Sequence, residues 1–214
     1  MDDTEVLDGE STIQQWSDAV AAANATPAGG AVAALASALA ASLVAMVAGL
    51  TTRREKYAAV HRYAQETWER AELLRADLLE LARHDAIVVA EYMDALTLPQ
   101  GTEFERTARD AAKRAALLEA ARVQLELLDL ASEVGGLAEA MVGSGVATAI
   151  GDAATASFLA AAASRSAYWS IRSNLKLVGR PDETRVLVQS AVVTLERVEA
   201  AEIRVRQVLD DRVG

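Results

Sequence analysis

One carboxylate, Asp85, falls on a helical face whose next members, three, four and seven residues on, are Val88, Val89 and Tyr92. Burial of a carboxylate on such an apolar face disfavours its charged form and raises its pKa. A carboxyl group of this kind can accept and return a proton close to neutral pH, which is the chemistry of a general acid or base. Asp85 is therefore the first candidate for a catalytic residue.

Asp152 and Asn174 are two further polar residues on largely apolar helical faces. Leu159 follows Asp152 on one side of its helix, and Ile171 and Leu177 flank Asn174. Structural roles stay open for all three polar residues, because a buried Asp can cap a helix or pair with an arginine, and a buried amide can satisfy backbone groups. Three such residues nevertheless indicate a polar site inside a helical protein.

The segment Thr26-Pro27-Ala28-Gly29-Gly30 interrupts one helical pattern and precedes another. A glycine pair at the start of a helix leaves backbone N–H groups accessible, and these can bind an anionic or polar ligand group. The alternative is that Gly29 and Gly30 only permit two helices to cross closely. The segment is thus either a ligand-binding turn or a packing device.

No charged residue occurs between Ala19 and Thr52, and the stretch from Ala33 to Ala48 is mostly alanine. Such a run is typical of either a membrane span or the buried centre of a helical protein. Membrane insertion favours Leu, Ile, Phe and Val, whereas alanine gains little in lipid but lets helices approach closely. The run therefore predicts a tightly packed helical core and no membrane span.

Composition narrows the classes of function. The 214 residues are 52% hydrophobic and 24% charged, as expected for one globular domain, and their formal net charge of −10 argues against nucleic-acid binding. Because the chain has no cysteine and only the histidines His61 and His84, thiol chemistry is excluded and no metal site is expected. The acidic start of the chain is unlike a signal peptide and predicts a cytoplasmic protein.

Proline and glycine breaks divide the chain into helical segments, with no strand pattern and no interdomain linker. We expect an all-α, single-domain bundle of about five to seven helices, some long, with an alanine-rich core. The domain should cover residues 11–214, after a flexible acidic N-terminus over residues 1–10. Because the helix predicted from Arg54 to Leu96 exceeds the needs of a small bundle, a homodimer is also expected.

Several blocks of the sequence resemble the formimidoyltetrahydrofolate cyclodeaminase and methenyltetrahydrofolate cyclohydrolase family, which includes the cyclodeaminase domain of formiminotransferase-cyclodeaminase. The resemblance covers most of the chain, and its blocks occur in the family's order. They are Pro27 to Ala34, Met46 to Thr51, Asp85-Ala86, Ala95 to Pro99, Arg106, Gly145, Asp152, Ile171 and Asn174-Leu175.

The resemblance implies an all-helical dimer that takes a tetrahydrofolate derivative as substrate. It implies an acid–base role for Asp85 in forming or opening the 5,10-methenyl bridge, by cyclodeamination or cyclohydrolysis. It also implies substrate-binding roles for Gly29, Gly30, Asp152 and Asn174. The reading of Asp85 from its apolar face agrees with this implication.

The chain also differs from the family's usual sequence motifs at several positions. Ala28 and Ala31 stand where the family has a glycine and a serine, Val89 stands at an aromatic position, and Gln124 stands at a proline. These departures keep a second hypothesis open, in which a divergent family member binds a different small molecule or a protein partner without catalysis. Function depends on the site rather than on the scaffold.

Overall fold

The structure, a computed structural model, describes residues 7–213 and shows six α-helices and no strand within them. The predicted flexible segment over residues 1–10 lies mostly outside the described residues. The all-α prediction is confirmed. The helices are Ile13–Ala21 (α1), Gly29–Thr52 (α2), His61–Thr97 (α3), Glu103–Ser144 (α4), Ile150–Val178 (α5) and Pro181–Val213 (α6).

Two of the helices begin with a capping box, in which side chains satisfy the free backbone N–H groups of the first turn. The Thr102 hydroxyl accepts a hydrogen bond from the Glu105 N–H, and the Glu105 carboxylate accepts one from the Thr102 N–H. The sequence predicts this capping box, because a threonine is followed three residues later by a glutamate after the break at Pro99-Gln100-Gly101. Thr12 and Gln15 form the same arrangement at the start of α1. Helix α4 is 42 residues long, and the glycine pair Gly135-Gly136 within it does not break it.

Helix α2 is the central helix of the bundle and contacts α3, α4 and α5. Its alanines Ala31, Ala40, Ala41 and Ala48 are fully buried. By length and composition alone α2 could cross a membrane, yet 61% of its most apolar window is buried inside the fold. The small side chains let neighbouring backbones approach closely, so α2 serves as close-packed core, as predicted.

The prediction that α3 starts at Arg54 is wrong, because a short 3-10 helix precedes α3. Glu55–Val60 forms a 3-10 helix with a non-helical residue at Tyr57, and α3 begins only at His61. This break has a use, because the Tyr57 hydroxyl accepts a hydrogen bond from the Ala147 N–H at 3.0 Å.

A second contact holds the beginning of α5 at the end of α2. The Thr51 hydroxyl donates to the Val47 carbonyl at 2.8 Å and accepts from the Val146 N–H at 3.0 Å. Helix α5 therefore starts beside the C-terminus of α2 and runs back along it. Its last turns reach the N-terminus of α2, where the cavity described below lies.

The alanine core makes a prediction about stability. Ala41→Leu adds three carbon atoms to a fully buried position, and we expect it to lower the free energy of unfolding by about 1–3 kcal/mol, the usual effect of overpacking. The control Ala200→Leu, on an exposed position of α6, should change it by less than about 0.5 kcal/mol. Urea denaturation of both variants measures the difference, and equal effects would contradict a close-packed α2.

Candidate active site

A cavity of about 250 Å³ lies where the N-terminus of α2 meets α3, α4 and the end of α5. Its volume is modest, and larger grooves occur elsewhere on the surface. What distinguishes this cavity is that buried polar groups face it. Its lining residues are Ala28, Gly29, Gly30, Asp85, Val89, Tyr92, Leu117, Ala120, Gln124, Ser170, Ser173, Asn174 and Leu177.

Asp85, on α3, is the most buried charged group of this cavity, with only 5% of its surface exposed. Its Oδ1 accepts a hydrogen bond from Gln124 Nε2 at 2.6 Å, and the backbone N–H of Ala31 in the first turn of α2 lies near enough to the carboxylate to lower its pKa. Its Oδ2 is buried and has no hydrogen-bond partner in the described part of the chain. One carboxylate oxygen is thus held in place by a hydrogen bond, while the other is a buried acceptor without a partner.

Burial raises the pKa of the Asp85 carboxyl above its ordinary value of 3.8. The hydrogen bonds from Gln124 and the Ala31 N–H, and the charge of His84, act in the opposite direction but do not cancel the effect of burial. The carboxyl group is therefore closer to exchanging its proton at neutral pH than an exposed aspartate is, as a general acid or base requires.

Gly30 is the reason that these groups can approach one another. A Cβ atom at this position would lie under 3.0 Å from both Gln124 Nε2 and Asp85 Oδ1, closer than real Cβ atoms come to other atoms. A Cβ at Gly29 would meet nothing within 4 Å. The two glycines of the predicted turn therefore differ: Gly30 is required for a close approach, whereas Gly29 lies open at the cavity wall.

Gln124, on α4, is a site residue that the sequence indicated only as a difference from the family's usual sequence pattern. It is 2% exposed, and its amide oxygen Oε1 is buried without a partner among the described residues. The signal was present, because Leu117, Ala120, Ala121 and Leu128 surround it at helical spacing. This is the same pattern, a polar residue on an apolar face, that selected Asp85.

The cavity includes Asn174 but not Asp152. Asn174 is half-buried on the cavity wall near Ser170 and Ser173, where α5 ends. Asp152 lies in the first turn of the same helix, about 33 Å away at ~1.5 Å per residue, and its charge there favours the helix N-terminus. The geometry of one chain therefore gives no support to the substrate-binding role implied for Asp152.

Among residues 7–213, no group of three or more His, Cys, Asp and Glu side chains lies close enough together to hold a metal ion. The polar groups that face the cavity are the Asp85 carboxylate, the Gln124 and Asn174 amides, the Tyr92 phenol and the hydroxyls of Ser170 and Ser173. These groups suit a polar organic ligand, and Asp85 is the one suited to proton transfer.

The sequence model of the formiminotransferase-cyclodeaminase family matches residues 12–190, which is most of the chain. The chain belongs to this family. The resemblance seen in the sequence is thereby confirmed, and all four elements that form the cavity lie in the matched region.

Named members of the family are similar over different shares of their lengths. A methenyltetrahydrofolate cyclohydrolase of Methylorubrum extorquens is 35% identical over 168 residues, 78% of this chain and 81% of that protein. The mouse formimidoyltransferase-cyclodeaminase is 29% identical over 157 residues, 73% of this chain but only 29% of the mouse protein. The family fold therefore occurs both nearly alone and as part of a larger protein.

A solved structure confirms the architecture. The crystal structure of formiminotetrahydrofolate cyclodeaminase from Thermotoga maritima superposes with a TM-score of 0.86, covering 96% of this chain and 98% of that one. The two sequences are 23% identical, so this likeness shows the shared fold.

The glycine pair offers a matched test of the cavity's geometry. Gly30→Ala should lower the free energy of unfolding by about 1–3 kcal/mol, because its methyl group displaces Asp85 and Gln124. Gly29→Ala should change it by less than about 0.5 kcal/mol, since its methyl group meets open space. Thermal or urea denaturation compares the two variants, and equal stabilities would disprove the close approach at Gly30.

Proposed function

We propose that this protein is a folate-dependent one-carbon enzyme that opens or closes the 5,10-methenyl bridge of tetrahydrofolate, with Asp85 as its general acid and base. The observation that carries the proposal is the Asp85 carboxylate, buried in the cavity of a family member with one oxygen unpartnered. The cyclohydrolase name of the 35% identical relative favours hydrolysis as the main direction.

In hydrolysis, water attacks the carbon that bridges N5 and N10 of the substrate cation. Asp85 Oδ2 takes a proton from this water as the C–O bond forms. The C–N5 bond then breaks as the hydroxyl group on the carbon loses its proton to solvent and forms the C=O bond. N5 receives the proton held by Asp85, and the carbon stays on N10 as a formyl group. One water is consumed and one proton is released overall, so Asp85 returns to its starting state.

The electrostatics of the cavity suit this step. The methenyl bridge is an amidinium-like cation, and the carboxylate of Asp85 is the one anionic group among the cavity-lining residues of the described chain. In a site of low dielectric constant, a fixed negative charge beside a cation stabilises it more than water does. Asp85 therefore serves both to stabilise the bound substrate and to move the proton.

The size of the cavity indicates how a folate would lie. At about 250 Å³ it is smaller than the roughly 300–1,000 Å³ of whole-ligand pockets, so only one end of the substrate would enter. A groove of about 590 Å³ adjoins it through Ser173 and is lined by Trp169, Arg172 and Lys176. The cationic side chains of Arg172 and Lys176 can bind carboxylates at the other end of a folate. The basic residues Arg53, Arg54 and Lys56 could not serve this purpose, because they follow the opposite end of α2.

Cyclodeamination is the second candidate reaction, favoured by the names of the family and of the Thermotoga maritima enzyme. In this reaction N10 attacks the formimidoyl carbon on N5, Asp85 takes the proton that N10 loses, and Asp85 gives it to the amino group, which leaves as ammonia. Supplying purified protein with formimidoyltetrahydrofolate and measuring released ammonia distinguishes the two reactions.

The activity test uses the near-ultraviolet absorbance of 5,10-methenyltetrahydrofolate, which is lost on hydrolysis. Wild-type protein should accelerate the loss, and Asp85→Asn should lower kcat by about 10²–10⁴-fold, the usual contribution of a general acid or base. The control Asp77→Asn, on an exposed position of the same helix, should behave as wild type. No acceleration and no folate binding by calorimetry would favour the non-catalytic alternative instead.

The pH dependence of kcat/KM gives a second readout in the same assay. Because hydrolysis needs the ionised carboxylate and burial raises its pKa, kcat/KM should fall with decreasing pH while the pH is still above 3.8. Asp85→Asn should lose this acidic limb. A wild-type profile that stays flat down to pH 3.8 would remove the assigned role.

The exposed face of α2 supports a homodimer. Val32, Leu39 and Met46 are exposed at intervals of seven residues, and no charged residue lies on this helix. A stripe of this spacing can pack against its own copy across a two-fold axis, as paired helices do. Leu39→Glu should therefore yield a monomer in light scattering, whereas the control Ile203→Glu, on an equally exposed residue of α6, should not. A monomeric wild-type protein would contradict the dimer.

A further inference from the structure

The geometry points to Gln124 as the residue that holds the attacking water: its amide N–H fixes Asp85, and its amide oxygen accepts one O–H of that water while Asp85 Oδ2 accepts the other. This inference deepens the proposed function, on which it rests. It makes Gln124 a residue that favours hydrolysis, since in cyclodeamination the nucleophile is N10 of the substrate and needs no water.

The orientation of the Gln124 amide follows from what each partner can donate. A carboxylate only accepts hydrogen bonds, so the amide must turn its NH₂ group toward Asp85, as it does at 2.6 Å. Its Oε1 must then point away from Oδ1. This oxygen is buried and unpartnered in the described part of the chain, which is costly unless a ligand or water supplies a donor.

Asp85 Oδ2 and Gln124 Oε1 are therefore two unpartnered acceptors that belong to side chains of one cavity, already joined by a hydrogen bond. A water molecule has two O–H groups and is bound well where a polar cavity offers at least two partners. A water that donates to both oxygens turns its lone pairs away from them and toward the rest of the cavity. That is where the substrate carbon must lie for attack.

The apolar part of the lining restricts where this water can bind. Val89, Leu117, Ala120 and Leu177 offer it no hydrogen bond, and among the polar residues of the lining only Asp85 and Gln124 have buried acceptors without a partner in the described part of the chain. A nucleophile held in one position reacts faster than a mobile one, and a displacement of about 1 Å can cost about 10²-fold in rate. Gln124 would contribute through this positioning, while Asp85 takes the proton.

Gln124→Met tests the assignment, because it keeps the length of the side chain but removes both amide functions. We expect kcat for methenyltetrahydrofolate hydrolysis to fall about 10²-fold, while the affinity for 5-formyltetrahydrofolate, measured by calorimetry, changes less than about threefold. The control Gln65→Met, on an exposed position of α3, should leave both unchanged. A wild-type kcat in Gln124→Met would overturn the inference.

A readout that needs no activity separates this inference from the proposed function. The hydrogen bond from Gln124 lowers the pKa of Asp85, so Gln124→Met should shift the carboxyl titration of Asp85, followed by carbon-13 NMR of the substrate-free protein, to higher pH. Two other titratable groups lie near Asp85, namely His84 and Tyr92, and the substitution alters neither of them. The residues that α2, α4 and α5 contribute to the cavity lining are uncharged. An unshifted titration would overturn the positioning of Asp85 even if the wild-type protein proved inactive toward folates.

Gln124→Glu provides a second variant of nearly identical shape. It keeps an acceptor for water but replaces the N–H donor with a second carboxylate, and two adjacent carboxylates cannot both ionise easily. The acidic limb of kcat should therefore move to higher pH than in the wild-type enzyme. A pH profile identical to that of the wild-type enzyme would contradict the role of the amide N–H.

Discussion

The contact between the Asp85 carboxylate and the first turn of α2 is the interaction on which the site depends. The residue that precedes α2, Ala28, has no side chain able to cap the helix, and the carboxylate from α3 lies against the first turn of α2 at Gly30, where the Ala31 N–H lowers its pKa. The structural and the chemical readings of Asp85 are thus not alternatives. Its Oδ1 accepts the hydrogen bond from Gln124 on α4, and its Oδ2 is buried without a hydrogen-bond partner in the described part of the chain.

This arrangement needs the alanine-rich core as well as Gly30. Four helices converge at the cavity, and their backbones can come close together only where side chains are small. The fully buried alanines of α2, and further buried alanines such as Ala156 and Ala160 on α5, provide that closeness along the bundle. At Gly30 the helices are so close that even the methyl group of an alanine would displace Asp85 and Gln124. Core packing and site geometry therefore have a common cause in the sequence.

Much of this could be predicted from the sequence. Breaks at proline and glycine separate the helices, the capping box at Thr102 marks the start of α4, and the apolar seam around Asp85 indicates a buried carboxylate. These features are local, so periodicity and short motifs reveal them. The short 3-10 helix after Arg54 was missed, because its break depends on the contact of Tyr57 with a distant segment.

The composition of the cavity was harder to predict, since it depends on which helices meet. Asp152 and Asn174 have similar patterns, but they occupy opposite ends of one long helix, and only Asn174 reaches the cavity. Gln124 has the same pattern as Asp85, but its importance follows from its hydrogen bond to Asp85 on α3 and from the close approach of both side chains to Gly30 on α2. Periodicity identifies a face of a helix, whereas the site requires knowledge of its neighbours.

A crystal structure with bound 5-formyltetrahydrofolate tests the account most directly, since it shows whether a folate enters this cavity. We expect the one-carbon end of the ligand beside Asp85, with Asp85 Oδ2 and Gln124 Oε1 each about 2.6–3.2 Å from a ligand atom or from one shared water. A ligand bound instead in the surface groove lined by Glu91, Asp94 and Arg122, or bound without contact to Asp85, would contradict the assignment of the site.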